Sequence, residues 1–113
     1  MIEIKKSKFI GIKFSVKTAE DVQTILQDLK KQHKKARHIA WAYIISSPHQ
    51  EKYSDDGEPS GTAGKPILNV LQKRGEINCL VAVVRYFGGI KLGAGGLVRA
   101  YSKATTDALE VAE

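Results

Sequence analysis

The chain has 113 residues, 18 Lys and Arg against 12 Asp and Glu for a net charge of +6, a 42% hydrophobic fraction and a single cysteine. That length suits one domain, residues 1–113, which can bury a core without staples, and the composition excludes a disordered chain. A lone cysteine excludes an intrachain disulfide, no stretch approaches the roughly 20 apolar residues of a membrane helix, and Met1-Ile2-Glu3-Ile4-Lys5-Lys6 lacks the apolar core of a signal peptide, so a cytoplasmic location is expected.

Ile2 and Ile4 alternate with polar neighbours and predict a short strand. Ile10, Ile12, Phe14 and Val16 alternate likewise and predict a longer, half-buried one. Thr18 begins a helix, with Asp21 at capping-box spacing and Val22, Ile25, Leu26 and Leu29 on one face. That helix runs into a basic cluster, Lys30, Lys31, Lys34, Lys35 and Arg37, with His33 and His38 among them. The cluster reads either as a phosphate-binding patch or as solvated cations offsetting the helix dipole. Ile39, Trp41, Tyr43 and Ile45 predict a second main strand, with small or apolar residues between them, and Trp41 is placed in the interior with Leu26, Val81, Val83 and Leu97. Residues 46–64 are rich in Gly, Ser, Pro and Asp and read as a long loop.

A second helix is predicted from about Thr62, buried through Ile67, Val70 and Leu71 and stopped by Gly75. Ile77 to Val84 is nearly continuously apolar and reads as a central strand; Cys79 within it reads as a small core residue. Residues 85–96, with five glycines, read as a second loop, and Leu97, Tyr101, Ala104, Ala108 and Val111 mark the inner face of a last helix. The order β-α-β-loop-α-β-loop-α, with three or four strands, predicts an α/β fold in two layers.

Chemistry concentrates in the two loops. The first reads Ser54-Asp55-Asp56-Gly57-Glu58-Pro59-Ser60-Gly61-Thr62-Ala63-Gly64-Lys65-Pro66, and the second Arg85-Tyr86-Phe87-Gly88-Gly89-Ile90-Lys91-Leu92-Gly93-Ala94-Gly95-Gly96-Leu97-Val98-Arg99-Ala100-Tyr101. Each runs into a helix, whose unpaired first amides and positive dipole end favour an anion. Ser60, Thr62, Lys65, Arg85, Lys91, Gly93, Gly95 and Arg99 are therefore candidate anion- or nucleic-acid-binding residues, in a groove where both loops meet at one end of the sheet. Asp55, Asp56, Gly57, Glu58, Gly61, Gly88 and Gly89 are assigned to shaping the loops. Two accounts of the arginines stay open: Arg85 and Arg99 bind the anion, or they pair with Asp55, Asp56 or Glu58 and pin one loop to the other. Tyr86 and Phe87 either stack on bases or pack in the core. The acidic residues are read as structural, with magnesium binding as the alternative. His33, His38 and His49 have no metal-ligand spacing, and Ser54, Ser60 and Ser102 lack a nucleophile elbow. No catalytic residue, metal or cofactor is assigned, and a binding module is favoured over an enzyme.

At these two loops the chain resembles the IMPACT family, to whose hallmarks the stretches from Ser54 to Gly64 and from Arg85 to Gly93 are similar. Ser7-Lys8-Phe9-Ile10 and His38-Ile39-Ala40-Trp41-Ala42-Tyr43 resemble its earlier motifs, so the likeness spans nearly the whole chain. The resemblance implies a fold like the second domain of ribosomal protein S-five: a small mixed sheet with helices packed on one face. It also implies a link to translation. Eukaryotic relatives regulate translation under amino-acid starvation and carry an extra N-terminal domain; bacterial relatives carry an extra C-terminal one, and this chain is expected to be a single-domain member. RNA, the ribosome or a translation-regulatory protein are the implied partners. The alternatives are a small-molecule phosphate-binding enzyme and a protein-binding regulator of translation initiation under stress.

Overall fold

A computed structural model describes residues 1–110. The strands are β1 (Ile2–Ile4), β2 (Ser7–Ser15), β3 (His38–Ser46), β4 (His49–Ser54) and β5 (Cys79–Tyr86), and the helices are α1 (Ala19–Gln32), α2 (Gly64–Lys73) and α3 (Gly93–Glu110). Val111, expected on the inner face of the last helix, lies outside the described residues. The five strands form one sheet in the order β1-β2-β5-β3-β4.

The α/β class with helices on one small sheet stands, and three details differ from expectation. Residues 46–64 are not all loop: β4 pairs with β3 from Trp41↔Ser54 to Ser46↔His49. Its sequence, His49-Gln50-Glu51-Lys52-Tyr53-Ser54, carries no apolar alternation because it is an edge strand with most side chains in solvent. The sheet is antiparallel throughout rather than mixed. A β-α-β order suggests parallel neighbours, but β5 inserts between β2 and β3, and β3 lies between β4 and β5. Each helical crossover therefore passes over one intervening strand.

The third difference is the layering. α2 and α3 bury Ile67, Leu71, Leu97 and Tyr101 against Ala40, Ala42, Val81 and Val83. α1 buries Val22, Leu26 and Leu29 with Ile39, Tyr43, Leu80, Ala82 and Val84. Alternate residues of one strand point to opposite faces, so α1 covers the face opposite α2 and α3. β5 is buried on both sides, which explains its unbroken apolar run. The two crossovers run in related directions on opposite faces and so have opposite hands; one of them departs from the right-handed preference of such connections.

Local signals did what they predict. Thr18 Oγ1 accepts from the Asp21 amide at 3.1 Å, and the Asp21 carboxylate accepts from the Thr18 amide at 3.2 Å, a complete capping box. Beyond α2, Gly75 takes φ +66°, and Glu76 N–H reaches back to the Leu71 carbonyl at 3.0 Å. Leu26, Val81, Val83 and Leu97 are buried; Trp41 is half-buried, at the rim of the α1 face.

Cys79 is 2% exposed, and burial, with the Glu76 charge nearby, pushes its thiol up to about 11. In native protein at pH 8, alkylation of Cys79 by iodoacetamide should run more than about a hundredfold slower than in urea, because so little thiolate is present. Equal rates, followed by mass spectrometry, would show that the β5 core opens readily.

Candidate anion-binding site

The register across three strands sets Phe9, Arg85 and His38 side by side, since Phe9 pairs with Arg85 and Arg85 with His38. These residues share the face covered by α3. Arg85 is 4% exposed. Its Nη1 donates to both carboxylate oxygens of Glu58, at 2.9 and 2.7 Å, and its Nη2 donates to Ser7 Oγ at 3.2 Å. Tyr101 OH donates to Glu58 Oε2 at 2.5 Å, and His38 Nε2 lies 3.4 Å from Glu58 Oε1. Burial, then the Glu58 carboxylate, hold the Tyr101 phenol well above its ordinary range, so it remains a donor. The Tyr101 ring also meets Phe9 edge to face, with centroids 5.3 Å apart. Arg85 Nε is buried without a hydrogen-bond partner among the described residues. Glu58 thus ties β3, β5 and α3 to the first loop through one carboxylate, and Arg85 extends the tie to Ser7 of β2.

The two helix starts differ sharply. At α2 the Asp55 carboxylate accepts from the amides of Gly61 (2.9 Å), Ala63 (3.1 Å) and Gly64 (2.8 Å). The protein's own anion fills that end, so the expectation of an external anion there is corrected. Asp55→Ala should cost about 2 kcal/mol, the upper end for a lost cap, read as a lower urea midpoint at constant m. A loss near zero would mean water replaces the carboxylate freely.

At α3, Gly93 takes φ +75°, a conformation costly for any residue with a Cβ, and opens the helix without an acidic residue in its first turn. No hydrogen bond among the described residues uses the amides of Gly93, Ala94 or Gly95. A cavity of about 430 Å³ opens here, and its wall includes Gly57 and Glu58 of the first loop and Phe87, Lys91 and Gly93 of the second. Arg37, His38 and Arg85 also line it, with an apolar floor from Pro59, Leu92 and Leu97. The two loops therefore meet in one pocket. Arg85 is neutralised by Glu58, whereas Arg37 and Lys91 are exposed and make no ion pair among the described residues. The Arg37 guanidinium lies over the Phe87 ring, 4.9 Å from its centroid.

The other expected site residues lie elsewhere or have other partners. Thr62 is buried and its hydroxyl donates to the Pro59 carbonyl, closing a turn. Ser60 and Lys65 are exposed but do not line the pocket. Arg99 is exposed on α3 outside the pocket, with its guanidinium beside Gly95. Asp56 accepts from the Ile39 amide at 2.7 Å through Oδ2, and its carbonyl accepts from His38 Nδ1 at 2.8 Å. Gly57, Gly61 and Gly89 hold positive φ in their turns, while Gly88 sits where a Cβ would meet the Lys6 backbone at 2.1 Å. Tyr86 faces away, its OH 2.6 Å from His33 Nδ1, whereas Phe87 lines the pocket. The sequence marks Ser7 and Tyr101 by nothing that places them at the site, and marks Arg37 only within a basic cluster that reads as a phosphate-binding patch or a solvated helix end. Ser7 lies in an early motif, Arg37 in the basic cluster and Tyr101 on the helix stripe, and none of these signals indicates convergence. Among the described residues no group of His, Cys, Asp and Glu is placed to hold a metal ion, and no helix is long and apolar enough to cross a membrane.

Comparison with known proteins agrees with the motifs. Residues 5–109 match the Impact N-terminal domain. The chain is 51% identical to IMPACT family member YvyE of Bacillus subtilis, over 96% of this chain and 50% of that protein. It is 42% identical to IMPACT family member YigZ of Escherichia coli, over 95% and 54% respectively. The chain spans about half the length of these curated relatives. A crystal structure of a hypothetical protein superposes with a TM-score of 0.91 at 42% identity, covering 96% of this chain and 54% of that one. The two-domain translational regulator Yih1 superposes with a TM-score of 0.60 at 26% identity, covering 90% and 42%.

Proposed function

This chain belongs to the Impact N-terminal domain family, and from that premise we propose that it is a translation-linked binding domain whose pocket at the start of α3 takes a phosphate of RNA. One observation carries the reading: of two glycine-rich helix starts, one is filled by Asp55 and the other opens on a pocket with two unpaired cations, Arg37 and Lys91. Free amides and the helix dipole favour negative charge, and an arginine fork can bind two phosphate oxygens at once. Arg85 supports the pocket wall from beneath, as a strut held by Glu58. The likeness to a translational regulator supports the link to translation.

The test is single-stranded RNA binding by anisotropy, comparing Arg37→Ala and Lys91→Ala with Lys65→Ala and Arg99→Ala. The first pair should weaken binding across sequences and each lower the salt slope by about one. The second pair should leave both nearly unchanged. Equal losses in all four would mean diffuse attraction of a basic protein for a polyanion, without a pocket.

A second reading, a protein-binding regulator of translation initiation, is favoured by the same structural likeness. It predicts a partner captured from nuclease-treated extract and no salt-steep RNA affinity.

A further inference from the structure

We propose that the cleft between α1 and the β3–β4 hairpin is a base-binding subsite for single-stranded RNA, with Trp41 as its stacking surface; this rests on the RNA reading of the α3 pocket. The cleft has a volume of about 280 Å³ and is lined by Gln23, Gln27 and Lys30 of α1 with Trp41, Ser54 and Asp56. It adjoins the α3 pocket across a single turn, since Asp56 lines one and Gly57 and Glu58 line the other. His38 and Ile39, consecutive in β3, likewise face one each. The two cavities open on opposite faces of the sheet and meet at its end around the Asp56–Gly57 turn, so a strand with a phosphate at α3 sets a base in the cleft by wrapping that turn.

The chemistry of the cleft suits a base and not a second phosphate. Trp41 is half-buried, its ring nearly parallel to Tyr43 (17°) with centroids 5.8 Å apart. A rigid aromatic surface is a sequence-tolerant platform for a base. Gln23, Gln27 and Lys30 recur at helical spacing along one stripe of α1, and their side chains make no hydrogen bond or ion pair among the described residues. The amides offer donors and acceptors to a base edge. Asp56 commits Oδ2 to the Ile39 amide, leaving Oδ1 to accept. Its charge opposes a phosphate and favours a base with an exocyclic amino group, so adenine, cytosine and guanine are preferred to uracil.

Trp41 is the only tryptophan, so emission excited where tyrosine does not absorb reports on this cleft. The experiment titrates the wild-type protein with end-labelled single-stranded oligoadenylate and oligouridylate, following label anisotropy and tryptophan emission together. The proposal expects oligoadenylate to quench Trp41 with the same midpoint as the anisotropy change, and oligouridylate to bind and quench more weakly. Trp41→Phe, if it melts like the wild type, should lose affinity severalfold with an unchanged salt slope, and Trp41→Ala about tenfold or more. Anisotropy change without any change in Trp41 emission overturns the subsite and leaves the α3 reading standing. Equal affinity for the two oligonucleotides overturns the role given to Asp56. No anisotropy change overturns the α3 reading and the subsite with it.

Discussion

Glu58→Ala is expected to destabilise the domain by about 3–5 kcal/mol, the range for removing one partner of a buried ion pair. Glu58 and Arg85 are 7% and 4% exposed, and the truncation strands the Arg85 charge and the Tyr101 hydroxyl where water has little access. Against a total stability of about 5–15 kcal/mol for a typical domain, that loss is large. Urea unfolding measures it as a drop in midpoint. The physical cause can be separated from mere loss of volume. Glu58→Leu combined with Arg85→Met removes both charges and should recover most of the loss, because an apolar pair in place of a buried ion pair is often neutral or better. If the double variant is as unstable as Glu58→Ala, the damage lies in packing, and the ion pair is not what holds the loop to the sheet.

Gly88→Ala is expected to cost about 3 kcal/mol, the upper end for overfilling a packed site. A Cβ at residue 88 would lie 2.1 Å from the backbone carbon and oxygen of Lys6 and 2.6 Å from its Cβ. Backbone cannot step aside as a side-chain tip can. Lys5 and Lys6 already hold φ of +48° and +68° in the two-residue turn between β1 and β2, so that turn has little freedom to move. The Gly88 amide also donates to Ser7 Oγ, the atom that accepts from Arg85, so the displacement reaches the network under the pocket. Gly89→Ala is the control. A Cβ there meets nothing within 4 Å, and only the positive φ of +91° opposes it, so about 1–2 kcal/mol is expected. Equal melting shifts for the two variants would mean that backbone conformation alone, and not close approach, explains the paired glycines.

The elements that a sequence displays are those whose pattern is local. Ile39 to Ile45, the Thr18–Asp21 box and the Gly75 stop are each set by neighbours within a few positions, and each occurs where its pattern indicates; the run Ile77 to Val84 forms its strand only from Cys79, with Ile77 exposed before it. β4 was hidden because an edge strand needs no apolar alternation. The all-antiparallel sheet was hidden because β5, late in the chain, inserts between two earlier strands, and nothing near either records it.

The same divide runs through the site. Both glycine-rich loops are visible in the sequence, although α3 starts at Gly93, inside the stretch 85–96 that reads as loop; the choice between an anion-binding and a pairing role for Arg85 is visible too. Deciding it needs Glu58, 27 positions away, together with Ser7 and Tyr101 on other elements. Likewise Asp55 and the amides of Gly61, Ala63 and Gly64 look like a ligand site until the carboxylate is seen to occupy it. Trp41 reads as core by alternation, and its half-exposed position follows only from where α1 ends its cover.

The most direct measurement of the central claim is the amide spectrum of isotopically labelled protein titrated with single-stranded RNA. Two helix starts are offered by the sequence, and their amides report separately. The account predicts that the resonances of Gly93, Ala94 and Gly95 shift with RNA while those of Gly61, Ala63 and Gly64, held by Asp55, stay in place. Shifts at Gly61, Ala63 and Gly64, or binding with neither group moving, would contradict it.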